Sequence, residues 1–531
     1  MINITAEYNR GVSMNIVRII CLLLVVFTAV LLFACANSNQ AIVNNPTKAP
    51  TVEPTALPSL TPQPNITDSG ELVEYTVSRS ISDNMVVQRN SYFNVFGWSE
   101  NIGGIIYAEF MGEKRYGVVN DSGEWMIEFS PHDATSEAQL LKIYPSNGKV
   151  TEYDNILIGD VWVVSGQSNA ELTFAATIAK TPDYKNEISK EDKIRIFTQS
   201  RAGVLSVQKK IDISKAQDDV ITKSWKWQVT TQGSVNSFSA LGYYFIKELS
   251  KIVDDVPLGI IMAAAGGATL NELMPVDLAE KCGFKTGPTV PNGGFYNTLL
   301  HPFTKNSITG MIYYQGESEA GGNQYLKYAE NLNLTVEAYR KVWGSEFAFI
   351  NVQLSTHRGE SFSHWPQLMN IRAAQFDAYK ALNNSYIVTS MDQAYKKGEP
   401  DWAHPMYKFE LGKRAATIAA SAVYDKLDAE YAFCPEPMNI KWEDNSVTID
   451  FKYVGDGLKL LDGDILLGFQ IYDEFGLTHC DSELIDKDTV KITADEKIFG
   501  IAYGMTHNAS VEDANLGNSL GYPLPAFEIK K

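Results

Sequence analysis

The chain has 531 residues, 45% of them apolar and 20% charged, with Lys+Arg 45 against Asp+Glu 63 and a formal net charge of −18. That composition is globular and excludes a disordered, collagen-like or disulfide-built chain. The acidic balance argues against nucleic acid as a partner, because phosphate-backbone affinity comes from cationic side chains that release counterions. The length suggests two to four domains of about 100–200 residues each.

Ile19–Ala34, IICLLLVVFTAVLLFA, is an uncharged run preceded by Arg10 and Arg18, the order of charge and apolar core in a secretory signal. A short membrane span is the alternative. The run ends Leu32-Phe33-Ala34-Cys35, which resembles the lipobox of a bacterial lipoprotein: residues 1–34 would be the signal peptide and Cys35 the lipidated residue. A start at Met14 gives such a leader the usual length. The expectation is an extracytoplasmic protein on the cell membrane through a lipid at Cys35, with secretion or a single N-terminal anchor as alternatives. Residues 35–70 carry Pro46, Pro50, Pro54, Pro58, Pro62 and Pro64 among Thr, Ser, Asn and Ala, a linker that cannot bury a core. The later cysteines are Cys282, Cys434 and Cys480. So sparse and odd a set argues against a disulfide framework and leaves one pair, such as Cys434 with Cys480, open.

From 71 to 155 the segments NMVVQR, YFNVFGW, GIIYAEF, YGVV and EWMIEF are short and alternating, the pattern of a small β-sandwich domain. From 156 to 430 the apolar runs VWVVSG, PLGIIMA, ITGMIYY, EFAFINVQL and SYIVTSM alternate with helical periodicity at 239–252, 325–343, 365–382 and 406–426. This is the βαβ rhythm of a parallel sheet covered by helices. From 431 to 531 SVTIDFKYV, GFQIYD, TVKITA and KIFGIAYG return to short strands between Asp/Gly turns, a second β domain.

Gly159-Asp160-Val161-Trp162-Val163-Val164-Ser165-Gly166-Gln167-Ser168-Asn169-Ala170 is an apolar strand ending in a glycine turn. Ser168 then lies at the carboxyl end of the first α/β strand, where open sheets place their ligand crevice, and backbone N–H groups there can face a developing oxyanion. Capping of the next helix is the commoner use of such a serine. In Asp401-Trp402-Ala403-His404-Pro405 an Asp three residues before a His can hold its Nδ1 and leave Nε2 for a nucleophile. A surface turn is the plainer alternative, and the pair gains weight only beside Ser168.

Gly310-Met311-Ile312-Tyr313-Tyr314-Gln315-Gly316-Glu317-Ser318-Glu319 is another strand that enters a polar turn, and Gln315 can aim an amide N–H at a tetrahedral intermediate. Glu317 and Glu319 open a rival, the paired carboxylates of a glycosidase, or serve simply as charge at a helix start. Ala265-Gly266-Gly267-Ala268-Thr269 lets backbone approach a substrate oxygen closely, or is only a tight turn. Gly517-Asn518-Ser519-Leu520-Gly521 matches G-x-S-x-G but runs into Pro523 and Pro525 with no later His, so Ser519 is set aside. No H-E-x-x-H, C-x-x-C or P-loop occurs, and no metal or cofactor is expected. Trp162, Trp402, Tyr313 and Tyr314 are candidates to stack on a sugar, although aromatics at strand ends more often belong to the core.

Taken together, GDVWVVSGQSNAEL, AAAGGATLNELMP, GMIYYQGESEA and DWAHP, in that order, resemble the sialate O-acetylesterase family of carbohydrate esterases in the SGNH hydrolase superfamily. SDNMVVQR, KIRIFTQ, SFSALGYYFIKEL and GYPLPAF match further recurring segments, so the resemblance covers nearly everything after the linker. It implies an α/β fold in which an SGNH-hydrolase (flavodoxin-like) parallel-sheet domain is flanked by N-terminal and C-terminal small β-sandwich domains. By position it implies Ser168 as nucleophile, His404 as base and Asp401 as the acid that orients it. The oxyanion hole would comprise the N–H groups of Ser168 and Gly267 and the side chain of Gln315, with the choice between Gly266 and Gly267 open. Asn169, Gly266, Glu317 and Trp402 are the implied substrate contacts.

Val164, Ala170 and the Ala264-Ala265 pair depart from the usual residues beside the pocket, which bears on the substrate rather than on the triad. The implied activity is hydrolysis of acetyl esters on sialic acid, or on a polysaccharide such as xylan. A catalytically silent sugar-binding surface lipoprotein is the alternative of another class.

Overall fold

The computed structural model describes residues 73–145, 147–181, 193–355, 367–393, 404–506 and 512–531. The leader, Cys35, the linker, Asp401 and Trp402 lie outside the described residues. No helix among the described residues is long and apolar enough to cross a membrane.

The strand Thr151–Gly166 (β1) organises the molecule. Its first residues alternate between half-buried and exposed, whereas from Ile156 to Gly166 every residue is buried. The first half therefore has one solvated face and the second is covered on both. Residues 151–159 pair with Thr135–Pro145 and Val86–Gln88 of the N-terminal β region. The second half is the centre of the α/β sheet, so one uninterrupted strand runs through position 155 and serves both. Asp160, buried in that strand, accepts hydrogen bonds from Arg89 Nε and Gln88 Nε2, both at 3.0 Å, which ties the N-terminal strands to it. A separate three-stranded sheet, Thr76–Val77, Phe93–Trp98 and Glu124–Phe129, completes that region.

The other core strands are Leu258–Ala264 (β2), Gly310–Tyr314 (β3), Ala348–Gln353 (β4) and Ser385–Thr389 (β5). They are parallel in the order β2-β1-β3-β4-β5, the flavodoxin-like order that places a switch point beside β1. All five match apolar runs of the sequence. Beyond β2 the sheet gains Ile194–Phe197, parallel, and Trp227–Val229, antiparallel at the edge, two strands too short to stand out from the surrounding loops.

Ser168–Glu171 (α1) follows β1. Ala240–Ile252 (α2) and Lys408–Ala422 (α5) cover one face of the sheet, and Tyr328–Trp343 (α3) and Leu368–Ala381 (α4) cover the other. Gly412 lets α5 lie against α2, since a Cβ there would meet Phe245 N at 2.7 Å and Tyr244 Cβ at 2.6 Å.

The C-terminal residues form two four-stranded antiparallel sheets and a two-stranded ribbon. Their shared core takes in Ala373, Phe376, Ile387 and Met391 from the α/β layer. Gln353 locks the joint, donating to Ala526 O at 2.8 Å and accepting from Ala526 N–H at 2.9 Å. Cys434 and Cys480 are free thiols, as is Cys282. Cys434 is buried near Arg414 whereas Cys480 packs on the C-terminal core, so the pair that the sequence leaves open is not formed.

Candidate active site

Register brings the site together. Gly166 ending β1 lies beside Ala264 ending β2 and Tyr314 ending β3, so the turns that follow emerge side by side at the carboxyl edge. Gly166 has φ +125°, and a Cβ there would sit 2.1 Å from Tyr314 O, so only glycine allows β1 to turn this close to β3. The turn is pinned by Gln167 N–H donating to Tyr314 O at 2.9 Å.

Ser168 is the first residue of α1 with Gln167 at the N-cap, so its hydroxyl is not used for capping. Ser168 Oγ lies 2.8 Å from His404 Nε2. His404 comes from just before α5, and Asp401 of the same motif is outside the described residues. The sequence motifs at 168 and 404 therefore meet in space, with the nucleophile-to-base spacing of acyl transfer.

The glycine turn after β2 is held by an acid that the motif reading passed over. Glu171 Oε2 accepts the Gly266 N–H at 2.6 Å and Oε1 accepts the Arg201 N–H at 2.9 Å. Gly266 thus has its donor engaged, while Gly267, at φ +75°, keeps open space on the side where a Cβ would stand.

Gln315 is fully buried. Its amide donates to Glu319 Oε2 and, at 3.3 Å each, to Gln167 Oε1 and Ala268 O. Its carbonyl oxygen Oε1 accepts from Tyr328 OH at 2.9 Å. This side chain therefore lies beneath the turns with its hydrogens committed, rather than projecting into an open hole.

Asn169 and Glu317 are likewise turned inward. Asn169 Nδ2 donates to Glu317 Oε1 at 2.6 Å, and Lys408 Nζ donates to Asn169 Oδ1 at 2.6 Å. Burial raises the Glu317 carboxyl, against the Asn169 hydrogen bond and Lys408 charge that lower it. Burial likewise pushes the Lys408 ammonium down to about 7, with Glu317 opposing. Glu319 accepts Leu270 N–H at 2.5 Å as well as the Gln315 amide, and burial lifts it to about 7 despite those donors. The two carboxylates thus hold separate partners and do not face one another across a cleft, unlike a glycosidase pair.

Trp162, Tyr313 and Tyr314 are fully buried core residues. Ser519 Oγ accepts the Asp456 N–H at 3.0 Å in a C-terminal turn, far in sequence and role from Ser168. Among the described residues no group of three His, Cys, Asp or Glu is placed to hold a metal ion.

Residues 158–421 match the family model described as carbohydrate esterase, sialic acid-specific acetylesterase. The chain is similar to the sialate O-acetylesterases of Homo sapiens, 24% identical over 345 residues, and Mus musculus, 22% identical over 368 residues. These matches cover 58% of this chain and 63% and 66% of the relatives, so the similarity spans less than two thirds of their length. Among solved structures, a carbohydrate acetylesterase from Xanthomonas citri superimposes with a TM-score of 0.72 at 24% identity, covering 86% of this chain and all of that one. The fold is thus shared well beyond the segment matched by the family model.

Proposed function

Because residues 158–421 belong to the sialic acid-specific acetylesterase family of carbohydrate esterases, we propose that this protein hydrolyses acetyl esters of sugars through a Ser-His-Asp acyl-enzyme mechanism. The observation that carries the reading is the 2.8 Å approach of Ser168 Oγ to His404 Nε2 at the carboxyl edge of the sheet. His404 Nε2 takes the hydroxyl proton as Oγ attacks the acetyl carbonyl. The tetrahedral intermediate collapses with the sugar oxygen leaving, and the imidazolium returns the proton to it. Water, deprotonated by the same nitrogen, then attacks the acetyl-enzyme and releases acetate and Ser168. Asp401 is the proposed partner that sets the imidazole tautomer.

The oxyanion donors in this reading are the N–H groups of Ser168 and Gly267, since the Gly266 N–H is taken by Glu171. Gln315 supports the hole from below through Glu319, Gln167 and Ala268. The proposed substrates are acetylated sialic acid, sialate 9-O-acetyl esters first, and acetylated polysaccharide such as xylan second. The apolar run before Cys35 supports an extracytoplasmic, lipid-anchored placement, which loss of labelled-palmitate incorporation in Cys35→Ser expressed in bacteria would test.

The deciding experiment is acetate release from 9-O-acetylated sialic acid and from acetylated xylan by residues 36–531, wild type beside Ser168→Ala. Release lost in the variant supports the mechanism. Substantial release retained by Ser168→Ala refutes it. Folded wild type that neither releases acetate nor reacts with a fluorophosphonate would favour a silent sugar-binding protein.

A further inference from the structure

Lys408 is an expensive residue where it stands. It is fully buried and opens α5, where the helix dipole disfavours a cation and the loss of hydration opposes the charge. Its contacts show what the position provides. Nζ donates to Asn169 Oδ1 at 2.6 Å and lies 5.1 Å from the centroid of the Tyr314 ring. Asn169 passes the interaction on, donating from Nδ2 to Glu317 Oε1 at 2.6 Å. The amide is thereby read at both ends, its oxygen by the ammonium and its nitrogen by the carboxylate.

The chain positions matter more than the charges. Asn169 directly follows Ser168, and Lys408 lies four residues after His404. The segment carrying the nucleophile and the segment carrying the base are therefore joined twice, once by Ser168 with His404 and once by Asn169 with Lys408. Packing on α2 holds the body of α5, and the Asn169–Lys408 hydrogen bond adds a directional contact beside the reacting pair. Glu317, from the turn after β3, adds a third segment to the joint.

We propose that Lys408 is a positioning residue for the Ser168–His404 pair, acting through Asn169 with Glu317 as its counter-charge. The inference rests on the acyl-transfer reading of Ser168 and His404. Misplacement of reacting groups by about 1 Å costs on the order of 100-fold, so loss of this second tie lowers turnover while substrate binding, made elsewhere, persists.

The test uses residues 36–531 as wild type, Lys408→Met, Glu317→Gln and Lys408→Met/Glu317→Gln. Three quantities are read: kcat and KM for acetate release, the rate of Ser168 labelling by a fluorophosphonate, and the thermal midpoint. Lys408→Met is expected to lower kcat and the labelling rate roughly 10- to 100-fold with KM changed little. It also leaves Glu317 as an uncompensated buried charge and lowers the midpoint. The double variant removes that charge and regains the midpoint, yet keeps the low kcat and labelling rate because the tie to Asn169 is still missing.

Recovery of kcat together with the midpoint in the double variant, or unchanged kcat and labelling in Lys408→Met, overturns the proposal in favour of a purely structural lysine. Should Lys408→Met not fold, the neutral double variant carries the comparison. Labelling needs no acetylated sugar, so wild type that labels without releasing acetate counts against the esterase reading and leaves the positioning result legible. Wild type that does not label at all overturns both.

Discussion

Replacement of Glu171 by alanine separates the support of the glycine turn from the chemistry. Its carboxylate accepts two backbone N–H groups, Gly266 at 2.6 Å and Arg201 at 2.9 Å. Each hydrogen bond to a charged acceptor contributes roughly 1.5–3 kcal/mol. Glu171 is only partly buried, so water takes over much of that role, and the expected loss of stability is about 2 kcal/mol.

The effect on catalysis has a different origin. Without the carboxylate the Gly266–Gly267 turn loses its anchor to α1, and in the proposed mechanism the Gly267 N–H is then no longer held toward the acetyl carbonyl. Complete loss of one oxyanion donor costs about 100- to 1,000-fold in rate. A loosened donor falls short of that, so Glu171→Ala is expected to lower kcat roughly 10- to 100-fold, about 1.4–2.7 kcal/mol of transition-state stabilisation. KM changes little, because the donor acts mainly on the tetrahedral species. Glu171→Gln keeps an oxygen for Gly266 but sets an amide against the Arg201 N–H, and is expected to lie between the two. The assay is steady-state hydrolysis of 4-nitrophenyl acetate and of the preferred acetylated sugar, with thermal unfolding in parallel. A Glu171→Ala enzyme with a lower midpoint and wild-type kcat would refute the reasoning, since the carboxylate would then be stabilising only.

Three further outcomes follow from the packing and the buried charges. Gly412→Ala places a methyl 2.6–2.9 Å from the backbone and Cβ of Tyr244 and the nitrogen of Phe245, so α5 must move away from α2. A loss of roughly 1–3 kcal/mol, read by urea unfolding, is expected, with a fall in kcat because α5 carries Lys408. Gly166→Ala combines φ +125° with a Cβ 2.1 Å from Tyr314 O, and is expected to abolish both activity and Ser168 labelling even in whatever fraction remains folded by circular dichroism. For Glu319, burial holds the folded carboxyl at about 7 against an ordinary 4.5. Between these values the folded state keeps a proton that the unfolded state has lost, so stability falls as pH rises through that window. Across about two and a half pH units the contribution is on the order of 3 kcal/mol, and Glu319→Gln should flatten that decline in urea unfolding at pH 5 and pH 7.5. Glu317, also raised by burial, leaves a residual slope in the same direction.

Much of the α/β layer was legible because its signal is local. A strand covered on both faces must be continuously apolar, so all five core strands could be read from VWVVSG, PLGIIMA, ITGMIYY, EFAFINVQL and SYIVTSM, and the helices between them from their apolar spacing. Ser168 and His404 were legible only jointly, since a strand-end serine or a D-x-x-H pair alone has commoner uses. Their order among the other motifs carried the resemblance.

Tertiary structure decided the rest, for a common physical reason: the partners are far apart in the chain. Glu171 reads as an ordinary helix residue until the Gly266 N–H, 95 positions away, arrives on its carboxylate. Lys408 reads as a surface cation at a helix start until Asn169, 239 positions earlier, takes its proton donor. Gln315 could be placed at the end of β3 from sequence, but only the packing of Glu319, Gln167 and Ala268 around it determined that its amide faces inward. Local sequence specifies which residues can form a strand, a turn or a cap, because those energies depend on neighbours in the chain. Which donor finds which acceptor depends on strand register and order, here Gly166 beside both Ala264 and Tyr314, and these are set only when the whole sheet is assembled.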